Sequence, residues 1–327
     1  MRLVMPNIQN FLDPAILFFV FGLAAGAVRS NLEIPPQIAR FLSLYLLMAL
    51  GLKGGFALAK SGLTGDVLIS LGCAVALALI VPALSYALLK RRLSRYDAAA
   101  IAATYGSVSA VTFITAVQYL ETHDIAYGGH MSAAMALMES PAIVMAVVLA
   151  NLARRREGIA PAGGSLGVGK VLHESFTDGA QLLLLGAMVV GYISGEAGQQ
   201  AMQPFSGDLF KGMLSFFLLD MGLLAARNVG ALRGQSPWLL VYAIGAPLVH
   251  ASLALALATL CGLSPGDTTL LMVLAASASY IAVPAVVRVA IPEANPSLYF
   301  GMSLGLTFPF NILLGIPLYA GVVAWMG

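Results

Sequence analysis

Two runs of small and hydroxyl-bearing residues, Gly106-Ser107-Val108-Ser109-Ala110 and Ala276-Ser277-Ala278-Ser279-Tyr280, each lie in the middle of a hydrophobic stretch, with Ser107 and Ser277 170 positions apart. Such residues make a poor continuous helix, and a helix that breaks leaves backbone groups unsatisfied. The N–H groups at the start of a half-helix carry roughly half a positive charge, which makes an anion site that needs no Lys or Arg. Freed carbonyls, with the hydroxyls of Ser107, Ser109, Thr112, Ser277 and Ser279, suit a hard cation such as sodium. The expected residues for a small anion are Gly106, Ser107, Val108, Ser109, Ala276, Ser277, Ala278 and Ser279, with Gly106 and Ala276 letting the ligand approach the backbone. Small residues also permit tight helix packing without any ligand. That bland reading suffices for one serine and weakens for two Ser-x-Ser runs in matching places.

The elements that must position these runs are membrane helices. Hydrophobic residues make up 59% of the 327-residue chain and charged residues 10%, and mean hydropathy is +0.89. A soluble domain carries roughly 25% charged residues, so a soluble reading is untenable. The net charge of +2 is spread over loops, with no basic stripe for nucleic acid. Met1 to Asn7 shows no charged region leading into a compact apolar run with a cleavage site, so no signal peptide is expected. Cys73 and Cys261 fall inside apolar stretches and imply neither disulfides nor a metal site.

With a ruler of about 20 apolar residues per crossing, the chain divides into ten expected helices: 11–28, 38–58, 67–89, 98–120, 131–152, 179–193, 209–226, 238–260, 268–289 and 298–325. The most polar, Gly-rich stretch follows the fifth and serves as a linker. The expected organisation is a first half over 1–153, a linker over 154–170 and a second half over 171–327. Loops after odd-numbered helices hold thirteen of the seventeen Lys and Arg residues; the other side holds Arg2, Lys53, Lys60 and Lys211. The positive-inside rule then makes the odd loops cytoplasmic and puts both termini outside. Five helices per half is odd, so the second half enters the membrane inverted. Asp13-Pro14-Ala15 matches Asp178-Gly179-Ala180 at an offset of 165, Gly51-Leu52 matches Gly222-Leu223 at 171, and Pro141 matches Pro309 at 168. The fold class expected is an all-α membrane protein of ten helices, a five-plus-five inverted repeat whose two discontinuous helices cross near the midplane. That is where secondary transporters keep their binding sites.

Ionisable residues inside a membrane are costly and default to functional candidates. Asp13 suits the interface, and Lys53, among glycines, can snorkel to the surface. Glu139 and Asn311 flank Pro141 and Pro309, and either support a break or ligate directly. The expected sodium ligands are Ser109, Thr112, Ser279, Glu139 and Asn311, with Asp220, Pro141 and Pro309 as gating or supporting residues; for Asp220 the choice between ligand, gate and packing stays open. No metal other than sodium is expected. His123 and His130 lack metal-ligand spacing, and neither a nucleotide loop nor a nucleophile elbow occurs, so an enzyme is not expected. A proton antiporter would place paired acids at its breaks, where this chain has Gly, Ala and Ser.

Long runs of the chain resemble the sodium-dependent bicarbonate transporter family of the cyanobacterial SbtA type: 105–113, Gly129-His130-Met131 with 134–143, 217–223, 275–282, 291–299 and 307–312. The resemblance covers the chain nearly end to end. It implies a homotrimer in the bacterial inner membrane, each protomer divided into a gate part and a core part that holds the crossed helices. It further implies sodium-coupled bicarbonate import by elevator-like movement, sodium as the only cofactor, and a PII-like cytoplasmic regulator of the SbtB type. The alternatives are a sodium symporter for another small anion and a membrane sensor or scaffold that binds an anion without moving it.

Overall fold

The computed structural model describes residues 12–62, 64–157, 178–232 and 234–326, and every regular element among them is a helix. The expected linker from residue 158 onward and the N-terminal eleven residues lie outside the described residues. Helix α1 (Pro14–Ala27) opens on Asp13, whose carboxylate accepts from the Ala15 N–H at 2.8 Å. Its counterpart α7 (Gly179–Gln203) opens on Asp178, which accepts from Ala180 and Gln181. Each acid satisfies amides that have no helical acceptor. The remaining elements are α2 (Pro36–Ser61), α3 (Gly65–Leu89), α4 (Arg95–Gly106), α5 (Ala110–Thr122), α6 (Met131–Arg156), α8 (Phe210–Val229), α9 (Pro237–Cys261), α10 (Pro265–Ala276) and α11 (Ala282–Ala290). A last helical run, α12, covers Pro296–Met326.

Seven helices among the described residues are long and apolar enough to cross a membrane. The ten expected segments map onto the structure, the fourth and ninth divided at the small-residue runs into α4 and α5 and into α10 and α11, with two differences. The first segment is only 14 residues long in α1. The sixth and seventh join into one run, Gly179–Val229, of 51 residues. At 1.5 Å per residue a straight helix of that length would measure about 77 Å, more than twice a bilayer core of roughly 30 Å. The run turns at Gly195, whose φ of 55° with ψ of −140° suits only a residue without a Cβ. Arg154, expected in the linker, instead belongs to α6.

Helix α1 packs along α8, and α2 along α7. A Cβ added to Gly26 would lie 2.7 Å from the Ala226 Cβ, and one added to Gly55 2.9 Å from the Gly191 Cα. Likewise Gly22 faces the Gly222 Cα at 3.1 Å, and Gly51 faces the Ala187 Cβ at 2.8 Å. The offsets of 165 and 171 carry Gly26 to Gly191 and Gly55 to Ala226, Gly22 to Ala187 and Gly51 to Gly222. Applied to both partners, these offsets turn each contact into the one beside it. The prolines inside α3 and α9, Pro82 and Pro247, are also 165 apart.

Side-chain ties sort the loops into two faces. On one, Arg227 donates to the Leu32 carbonyl at 3.1 Å, Arg154 grips Glu293 through two bonds of 2.8 and 2.7 Å, and the Asn295 N–H donates to Asp97 at 2.7 Å. These belong to loops after odd-numbered expected helices. On the other, Lys53 pairs with Glu121 at 2.9 Å, Lys211 with Asp13 at 2.8 Å, and the Gly128 N–H donates to Asp267 at 2.6 Å. The first is called the odd-loop face and the second the even-loop face. Lys53 thus stays partly buried beside an acid and over the Phe210 ring, and does not snorkel free.

Candidate functional site

Both small-residue runs are breaks, and they meet. Helix α4 ends at Gly106 because Ser107 turns extended (φ −95°, ψ −179°), and α5 restarts after Ser109. Helix α10 ends at Ala276 with Ser277 extended in the same way (φ −76°, ψ 166°), and α11 restarts at Ala282. The chains touch directly: the Ser109 N–H donates to the Ser277 Oγ at 3.0 Å, and the Ser279 N–H donates to the Thr104 carbonyl at 2.8 Å. Position 106 takes Gly because a Cβ there would strike the Pro82 ring. Ser107, Ser109, Ser277 and Ser279 are all buried.

The restarted helices expose backbone donors. Ser109 caps α5, its Oγ accepting from the Thr112 N–H at 3.2 Å and from the Thr112 hydroxyl at 3.0 Å. Ser279 caps α11 more loosely, accepting from the Val283 N–H at 3.3 Å. The first amides of each half-helix, Ala110 and Val111 in α5 and Ile281 and Ala282 at α11, have no acceptor within their helix. Those four residues line a single cavity of about 280 Å³, together with Val108, Ser109 and Ser279. Two positive helix starts therefore face one space that reaches the odd-loop face beside Asp178 and Val286.

Two carboxylates share that wall, Glu139 and the exposed Asp178. Glu139 lines the cavity, and its Oε2 accepts from the Gln181 Nε2 at 2.7 Å. An anion held at the helix starts would be repelled by Glu139 unless a cation lay between them. The hydroxyls of Ser109 and Ser279 line the same cavity as Glu139, and together these oxygens carry the low charge that suits a monovalent ion. Among the described residues no group of three or more His, Cys, Asp or Glu is arranged to hold a metal.

The expected site residues thus separate. Val108, Ser109, Ser279 and Glu139 line the cavity; Thr112 lies one turn behind, bonded to Ser109. Ser277 holds the crossing: its Oγ donates to the Leu274 carbonyl at 2.9 Å while accepting from Ser109. Ala276 and Ala278 are buried beside it, and the Ala276 carbonyl accepts from the Asn311 Nδ2 at 2.9 Å. Asn311 in turn accepts from the Tyr319 hydroxyl at 3.0 Å, so both ends of its amide are engaged behind the break. Pro141 lies inside α6 two residues from Glu139, and Pro309 sits between two wide turns of α12, Ser303–Thr307 and Asn311–Gly315. A proline removes one N–H from the ladder, which fits such loosened turns. Asp220 is buried in α8, away from the cavity wall, next to Met221, whose sulfur accepts from the Tyr280 hydroxyl at 3.6 Å.

Sequence reasoning did not find Gln181, the partner of Glu139. Its signal was available as the lone amide in the otherwise apolar start of α7, Gly179-Ala180-Gln181-Leu182-Leu183. Tyr105 also went unread; its hydroxyl pairs with the Thr307 hydroxyl at 2.6 Å, and Thr307 donates to the Ala243 carbonyl at 2.7 Å. This chain ties α4, α9 and α12 together behind the first break. No curated protein matches the sequence. Residues 14–324 match the Na+-dependent bicarbonate transporter superfamily, and the chain belongs to that superfamily as a multi-pass membrane transporter, not an enzyme.

Proposed function

We propose that the protein is a sodium-coupled symporter of a small anion, most fittingly bicarbonate, with the odd-loop face cytoplasmic and both termini outside. The observation that carries this reading is the cavity in which the unsatisfied helix starts at Ala110, Val111, Ile281 and Ala282 face Glu139, Ser109 and Ser279. The anion sits at the helix starts and sodium lies between it and the carboxylate, so neither charge is left unpaired away from water. The family of the chain supports both ions.

An inverted repeat of five plus five helices underlies the mechanism. The paired glycine contacts that copy one another at the sequence offsets support it. The cavity lies between the α1, α2, α7 and α8 group, which contributes Leu47 and Leu184, and the helices around the breaks, which contribute Met135 and Val108. Movement of the second group against the first carries the site from one face to the other, the elevator-like step. A homotrimer and a PII-like partner on the cytoplasmic face complete the reading and rest on the resemblance alone.

Uptake of labelled bicarbonate into proteoliposomes tests it. An inward sodium gradient should drive accumulation, with choline giving none, and sulfate and small carboxylates should compete poorly. Binding without sodium-driven accumulation would point instead to the sensor or scaffold reading, and preferential competition by another anion would replace bicarbonate.

A further inference from the structure

We propose that Phe19, Tyr280 and Phe308, with Met221, form a gate closing the route to the crossing from the even-loop face; this rests on the transporter reading above. A second cavity, of about 380 Å³, opens on that face beside Asp13, Lys211 and Thr122. It is the repeat counterpart of the first. Asp13, Leu214 and Thr115 on its wall correspond, at offsets of 165, 171 and 170, to Asp178, Ser43 and Ala285 on the wall of the other.

The two cavities differ in depth. The one on the odd-loop face continues past Leu184 and Ala110 to Ser109 and Ser279. The one on the even-loop face reaches Ile16, Leu214 and Ile312 and touches neither serine. One helical turn deeper than Ile16 stands Phe19, the counterpart of Leu184; one turn deeper than Ile312 stands Phe308, the counterpart of Ser140. Tyr280 is the counterpart of Ala110. Where the open route carries Leu184 and Ala110, the closed one carries Phe19 and Tyr280 with Phe308 between them, and Tyr280 also borders the open cavity.

Those rings are packed against one another. Phe19 meets Phe308 edge-on at 5.5 Å between centroids, and Tyr280 meets Phe308 at 5.1 Å. Phe19 and Phe308 are 0% and 2% exposed. Phe19 and Met221 belong to the α1–α8 pair, whereas Phe308 and Tyr280 belong to α12 and the second break. The seal therefore spans the seam along which the two groups must slide, and opening this route requires these contacts to part.

Thiol labelling tests the gate. In protein with Cys73 and Cys261 replaced by Ala, Leu218→Cys places a thiol one turn below Leu214, at the counterpart of the cavity-lining Leu47. A membrane-impermeant methanethiosulfonate added from the even-loop face should modify it slowly. Installing the other route's residues, Phe19→Leu with Tyr280→Ala, should raise the rate at least tenfold, and Phe308→Ser further. Unchanged labelling in a monodisperse variant overturns the gate, as does an equal rise at Ile101→Cys, buried in α4, since that would report loosening of the whole fold. Phe19→Leu alone, a milder change, gives the same decision if the combined variants do not fold. Absence of sodium-driven uptake by the unaltered protein would sink the transport reading and leave the labelling result to decide the gate.

Discussion

The two breaks, at Ser107 and at Ser277, have the same backbone form yet do different work. At the second, the Ser277 hydroxyl is fully engaged, donating to Leu274 and accepting from Ser109. At the first, the matching Ser107 hydroxyl is buried with no protein partner. The copy of the Ser109-to-Ser277 bond would be one from the Ser279 N–H to Ser107, but Ser279 donates to the Thr104 carbonyl instead. A repeated backbone thus need not give repeated chemistry. One hydroxyl fastens the crossing, and the other is buried without a protein partner.

The sharpest way to break this comparison is to put a charge at the first helix start. Ala110→Asp adds an acid on the cavity wall, where an unpaired carboxylate at mid-membrane costs about 3 kcal/mol. Bicarbonate uptake should drop by roughly 100-fold or more; full activity in a monodisperse protein would show that the anion does not sit at that helix start. Next in size is Glu139→Gln, which keeps an acceptor for Gln181 but loses the charge. The sodium concentration for half-maximal uptake should rise at least about tenfold with little change in melting temperature. An unaltered sodium titration would remove Glu139 from the cation site.

The serines themselves sharpen the contrast. Ser277→Ala deletes two buried hydrogen bonds and should cost roughly 1 to 2 kcal/mol of stability, seen as a lower melting temperature. Ser107→Ala deletes none and should melt like the unaltered protein while binding more weakly; Ser107→Leu, which fills the space, should abolish uptake. The reverse ranking in stability would exchange the two roles.

Smaller effects are expected away from the breaks. Lys53→Gln should change uptake by less than about fivefold, because a partly exposed ion pair contributes roughly 0 to 1 kcal/mol. Arg154, bonded twice to Glu293, holds the Glu293 carboxyl below the ordinary carboxylate range. The carboxyl has the lower pKa in the folded state, so this pair stabilises fully above about pH 4.3, the ordinary glutamate value. Its contribution is lost as pH falls through the depressed value. Melting followed from pH 6 down to pH 3 should show Glu293→Gln losing less stability than the unaltered protein; parallel curves would contradict the assignment.

The sequence made the chemistry legible wherever residue type alone carried it. Paired Gly and Ser weaken a helix, and an acid such as Glu139 does not enter an apolar helix for packing. What it could not reveal is which partner each polar atom chooses. Asn311 read equally as a sodium ligand or as support for a break, and its amide is engaged by the Ala276 carbonyl and Tyr319. The Gly179–Val229 run read as two helices because the stretch between them is polar, whereas the backbone stays helical and changes direction at Gly195. Pro82 and Pro247, 165 positions apart, went unread. Their neighbours Ser85 and His250, likewise 165 apart, lie 3.4 Å from each other, a contact between repeat mates that only the folded chain displays.

The central claim, an anion and a sodium ion sharing the space between two helix starts, is tested most directly by calorimetry of bicarbonate binding at constant ionic strength in sodium and in choline. Charges about 4 to 6 Å apart attract, and linkage makes the effect reciprocal. Bicarbonate should therefore bind about 5- to 150-fold more tightly in sodium, a coupling of roughly 1 to 3 kcal/mol. Equal affinity in the two salts would contradict the account, placing the cation elsewhere or making the driving ion something other than sodium.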